Sequence, residues 1–76
     1  MKLSTVKEKL LADEVIIFDV MPNPSDFSEW IVWAREPSGG SYLLINDDES
    51  IVGSKDANRI LLVLKDLGVR NVHFSL

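Results

Sequence analysis

Three neighbouring stretches of this chain carry apolar side chains at both of their alternating positions, and that pattern constrains the fold more than any other feature. In residues 15–20, Ile16, Phe18 and Val20 alternate with Val15 and Ile17; in 29–35, Trp30, Val32 and Ala34 alternate with Ile31 and Trp33; in 41–45, Leu43 and Ile45 alternate with Tyr42 and Leu44. β-Branched and aromatic residues dominate these runs, which are too short for stable helices, so all three are predicted as strands. A strand packed against one layer needs a single apolar set. These strands have two, so a sheet built from them carries a second apolar face.

Helices are predicted on either side of the strands. Thr5 stands three residues before Glu8, the spacing of a capping box, and Val6, Leu10 and Leu11 follow on one stripe, which predicts a short helix over 5–12. Ser54 suits the N-cap of a helix over 55–67, where Ala57, Ile60, Leu61, Leu64 and Leu67 recur at helical spacing and Gly68 suits a left-handed C-terminal residue. The connections are read from turn formers. Met21-Pro22-Asn23-Pro24-Ser25-Asp26 is predicted as an irregular loop, because its prolines cannot continue a ladder. Pro37-Ser38-Gly39-Gly40 reads as a hairpin turn, and Asn46-Asp47-Asp48-Glu49 as a second reversal before a short fourth strand over 50–53. In 69–76, Val72, Phe74 and Leu76 alternate with Asn71, His73 and Ser75, the mark of a last strand with one wet face. The expected fold is α+β, order αββββαβ: an antiparallel sheet made of a four-strand meander plus the C-terminal strand, with two helices on one face, in one compact domain spanning 1–76.

Size and composition then bear on function. A chain of 76 residues with no cysteine and one histidine has neither disulfides nor a dedicated zinc site to reinforce a small core, which leaves association as the usual remedy. Two short helices cannot cover both faces of the sheet. The second face is expected to present Ile31, Trp33, Tyr42, Leu44, Val15 and Ile17, a patch on the order of 400–600 Å², as large as any on an ordinary monomer. These six are the candidate interface. The expected partner is a second copy, as a homodimer, or another protein, with Trp33 as anchor because aromatic residues concentrate interface energy.

Other functional classes find little support in the residues. His73 has Ser75 two positions away on a predicted strand, too loose an arrangement for a nucleophile and its base. Asp47, Asp48 and Glu49 lack the alternating spacing of a calcium loop, and no metal site or cofactor is expected. Gly39-Gly40 does not open a helix; Gly53-Ser54-Lys55 does, but Asp56 competes for the free amides, so capping is the expectation there. The eight basic residues are scattered among twelve acidic ones, for a formal net charge of −4, which argues against binding nucleic acid. Ile60 to Leu64, an apolar run as long as any in the chain, is far too short to cross a bilayer, and no secretory signal is visible, so a cytoplasmic protein without a membrane role is expected. The chain is thus read as noncatalytic. A second hypothesis takes the loop carboxylates Asp26, Glu36, Asp47, Asp48 and Glu49 as an acidic regulator of a basic, nucleic-acid-binding protein, an interaction that salt would weaken.

Overall fold

The computed structural model describes residues 1–75. In chain order the elements are α1 (Leu3–Leu11), β1 (Ile17–Asn23), β2 (Asp26–Arg35), β3 (Ser41–Leu43), β4 (Gly53–Ser54), α2 (Ala57–Asp66) and β5 (Val72–Phe74). This is an α+β fold with two helices and one mixed sheet of five strands, and among the described residues no helix is long and apolar enough to cross a membrane. Leu76, which the alternation pattern places in the last strand, lies outside the described residues.

The sheet departs from the expected antiparallel meander in two ways. Its order is β3-β2-β1-β5, with β4 also paired to β2, and β5 runs parallel to β1. Both β4 and β1 are antiparallel to β2, so they share a direction. The helical crossover through α2 returns the chain to the end from which those strands start, and a strand entered in that way is parallel to them. Nor does β4 lie outside β3. The two follow one another along the same edge of β2, and the chain between them leaves that edge as a small hairpin: Ile45 bridges Ile51, Asn46 N–H donates to the Ser50 carbonyl at 2.7 Å, and Val52 N–H donates to the Leu44 carbonyl at 3.2 Å.

The segment predicted as an irregular loop is instead the end of a long hairpin. β1 continues through Met21, Pro22 and Asn23, Pro22 pairs with Trp30, and a register shift follows between Pro22 and Asn23. Among the described residues β5 pairs with β1 only from Phe18 to Val20, so no ladder bond among them calls on an amide at Pro22.

Helix ends also differ from expectation. α1 starts at Leu3, which places Thr5 inside it, and its N-cap Lys2 makes no side-chain cap bond. The cap comes from elsewhere in the chain: the Asp47 Oδ1 accepts from Ser4 N–H at 3.1 Å. Bonds from Ile45 N–H to the Met1 carbonyl and from Leu3 N–H to the Ile45 carbonyl, both 3.0 Å, tie the start of α1 to the sheet edge. At α2, Asp56 is the N-cap, accepting from Asn58 N–H, while the Ser54 hydroxyl accepts one step earlier from Asp56 N–H.

Both helices contribute to one core. Val6 of α1 and Ile60 and Leu64 of α2 pack with Phe18, Val20, Val32, Ala34, Leu44 and Val52. All strand members of that cluster share one face, so the opposite face is left without a helix.

Candidate functional site

Strand register defines the opposite face row by row, because paired residues in neighbouring strands point the same way. Leu43, Trp33, Asp19 and His73 form a central row, Ser41, Arg35 and Ile17 the row on one side, and Gly53, Ile31 and Met21 the row on the other. Ile17, Met21, Trp33 and Leu43 are half-buried, while Ile31, flanked by Met21 and Gly53, is only 3% exposed. Glu29 occupies the far corner, its carboxylate against Gly53 and accepting from Asn23 Nδ2 at 3.3 Å.

One ion pair crosses this face. Arg35 Nε donates to Asp19 Oδ2 at 2.5 Å, with a longer contact from Nη2 to Oδ1 at 3.4 Å. Asp19 is 9% exposed and is the buried charged residue of the described chain, whereas the Arg35 side chain is about half exposed. The hydrogen bond to Asp19, and then the attraction of its charge, hold the Arg35 guanidinium above its usual pKa. A carboxylate withdrawn from water needs such a partner. Arg35 and Ile17 also border a recess of about 350 Å³ at the end of the sheet, closed by the Glu36–Ser41 turn.

Of the six residues expected on this face, the structure places Ile17, Ile31 and Trp33 there. Tyr42 and Leu44 are on the helix side. Leu44 is fully buried in the core; Tyr42 is exposed at the sheet edge, in register with Ala34, its hydroxyl folded over Gly40. Val15 precedes β1 and is 66% exposed. The cause is the length of one turn. A four-residue connection would pair Glu36 with Ser41 and set Leu44 beside Trp33, but Glu36 N–H donates to the Gly40 carbonyl at 2.8 Å, which pairs those two residues around a three-residue turn, and Arg35 pairs with Ser41. A slip of one residue exchanges the two faces of a strand. Leu43 therefore takes the place beside Trp33, and the large six-residue patch gives way to a smaller mixed surface.

The carboxylates of the acidic hypothesis are divided between the two ends of β2 and the 45–51 hairpin. Asp26 opens β2 and Glu36 follows its other end, ten residues away, a separation of about 30 Å at ordinary strand rise. Each has a local partner or place. Asp26 accepts from the Ser28 hydroxyl and amide, Asp48 from those of Ser50, and Asp47 caps α1. The hydroxyl bond first, then the amide bond, hold the Asp26 and Asp48 carboxyls below the usual range. Glu36 lies 3.5 Å from Lys9, whose ammonium is held above its usual pKa by the charges of Glu14 and then Glu36. Glu49 sits at the tip of the 45–51 hairpin with φ 73°. Among the described residues no three of His, Asp and Glu converge as metal ligands. His73 is exposed on the edge strand, in register with Asp19.

Asp19, Arg35, Met21 and Leu43 complete the face without having been singled out from sequence. For Asp19 a signal was present: a lone carboxylate inside the apolar run 15–20 requires a basic partner on the adjoining strand. No family model, no curated protein and no solved structure matches this chain.

Proposed function

We propose that this domain binds protein and does no chemistry of its own, docking its partner on the open face of the sheet. The observation that carries the reading is the set of Leu43, Trp33, Ile17 and Met21 around the Asp19–Arg35 pair, on the side of the sheet away from both helices. Trp33 is the anchor, since a half-buried indole on a rigid strand loses little conformational freedom when it is covered. The ion pair contributes orientation. A fixed positive and a fixed negative charge among apolar neighbours reject most arrangements of a partner and favour the one that matches both. A photo-crosslinking amino acid at Leu43, on the open face, is expected to give a discrete protein adduct in cells, whereas the same probe at exposed Leu62 on the outer side of α2 gives none. Absence of an adduct from position 43 refutes the proposal, whatever position 62 yields.

A further inference from the structure

We infer that the occupant of the open face is a second copy of this chain, packed sheet to sheet about a two-fold axis along the Ile17–Trp33 diagonal. The inference rests on the open face being a docking surface, and it follows from the placement of charge there. Register pairs Ile17 with Arg35 and Asp19 with Trp33, so these four side chains stand at the corners of a rectangle, with Asp19 and Arg35 diagonally opposed. A two-fold axis lying in the interface along the other diagonal carries each charged corner to within about 3 Å of the other's place at ordinary strand spacings. Asp19 of each copy then faces Arg35 of the other, and Trp33 meets its own counterpart.

The rest of the face is compatible with that axis. With about 4.8 Å between strands and about 6.8 Å between residues two apart, the diagonal lies about 35° from the strands, so the two sheets cross at about 70°, within the orthogonal class of sheet packing. The same spacings carry Leu43 over Met21 and Ile31 of the second copy. Glu29, bonded to Asn23 at the far corner, stays clear of its own image.

Charge is no obstacle to a second copy on this face. The chain has a formal net charge of −4, so two copies repel wherever their acidic loops face each other. Asp26, Glu36, Asp47, Asp48 and Glu49 all lie on loops or at strand ends, while the centre of the open face holds one carboxylate and one guanidinium and is neutral. It is a place where identical molecules meet without net repulsion. Neither charged group is saturated by the internal pair: among the described residues Asp19 Oδ1 receives a side-chain bond only from the 3.4 Å contact, and Arg35 is half exposed, so each can accept or donate a second bond across the interface.

Sedimentation equilibrium up to about 1 mM, the limit of weak but specific association, tests this on the intact chain. Wild type is expected to reach twice its monomer mass, with Trp33 emission shifting to the blue as it does. Leu43→Glu and Met21→Glu, which both leave the ion pair in place and each set an acid into the apolar part of the face, are each expected to weaken association by more than about tenfold while keeping the wild-type circular dichroism. A dimer unaffected by both folded variants overturns the inference, as does a wild type that stays monomeric. In the monomeric case, iodide quenching of Trp33 in a Trp30→Phe background separates the two claims. A quenchable Trp33 leaves the open face standing as a site for some other protein and removes only the second copy; a protected Trp33 removes both.

Discussion

The two helices end in the same hydrogen-bonded motif but with different residues at its critical position, and this makes a paired prediction. At α1, Asp13 N–H donates to the Leu10 carbonyl and Glu14 N–H to that of Lys9; at α2, Gly68 N–H donates to Lys65 and Val69 N–H to Leu64. Both are Schellman closures, which need a left-handed residue just past the helix. Gly68 has φ 90° and Asp13 φ 58°. A Cβ built on Gly68 would meet nothing within 4 Å, so Gly68→Ala introduces no clash and its whole effect is backbone. The left-handed conformation costs an L-residue about 1–2 kcal/mol, and stiffening the unfolded chain returns about 0.4–1 kcal/mol. The net is a loss of about 1 kcal/mol. Asp13→Gly reverses the argument, with a smaller gain of about 0.5 kcal/mol because aspartate tolerates this region better than alanine does.

Urea unfolding followed by circular dichroism, with unchanged m-values, reads both effects directly. In a domain of this size a change of 1 kcal/mol moves the thermal midpoint by about 4–8 °C. Asp13→Asn supplies the control, since it keeps an αL-tolerant side chain but removes a negative charge from the end of α1, where the helix dipole disfavours it. The difference between Asp13→Gly and Asp13→Asn therefore isolates the backbone. A Gly68→Ala variant as stable as wild type, or an Asp13→Gly variant less stable than Asp13→Asn, would refute the reasoning.

Two further outcomes follow from the placement of particular side chains. Leu44→Ala should cost about 2–5 kcal/mol, the range for a fully buried leucine, while Leu43→Ala on the half-buried face should cost less than about half as much; chemical denaturation that ranks them in the opposite order contradicts the assigned register. Asp26 and Asp48 have folded pKa values below the ordinary 3.8, so the stability they contribute is present above that value and is lost as pH falls through the lowered ones. Ser28→Ala should raise only the Asp26 pKa and Ser50→Ala only that of Asp48, which carboxyl carbon shifts in an acid titration report residue by residue; a variant that moves neither group rules out the serine hydroxyl as the cause.

Local signals in the sequence were sufficient where the structure is local. The stripe Ala57, Ile60, Leu64 and Leu67 and the glycine at 68 identify α2 and its end without reference to anything else in the chain. β1 and β2 are likewise evident from their apolar runs. The departures share a different origin: in each, a distant segment decides a local outcome. Asp47 caps α1 from 43 residues away, which no spacing rule within the helix can reveal. Pro22 stands in a strand because, among the described residues, the pairing of β5 with β1 stops at Val20. The direction of β5 depends on where α2 releases the chain.

The open face shows most clearly what an alternation pattern leaves undetermined. Tyr42 and Leu44 are about as apolar as Leu43 and Ile45, so the pattern in 41–45 cannot say which pair faces the helices; only the turn can, and there the bond between Glu36 N–H and the Gly40 carbonyl leaves three residues in it where four were expected. Polar residues inside apolar runs carry the missing information. Asp19 cannot enter the core unpaired, Arg35 is the basic residue within reach on the adjoining strand, and the pairing of Ile17 with Arg35 sets the two charges diagonally across one face. Arg35 in turn sits beside Ser41, so the register of β3 is tied to the same ion pair. A charge in a strand is therefore a register marker as well as a candidate for function, and in this chain the Asp19–Arg35 pair combines the two: it fixes which side chains share the open face and supplies the fixed charges that a docked partner would have to match.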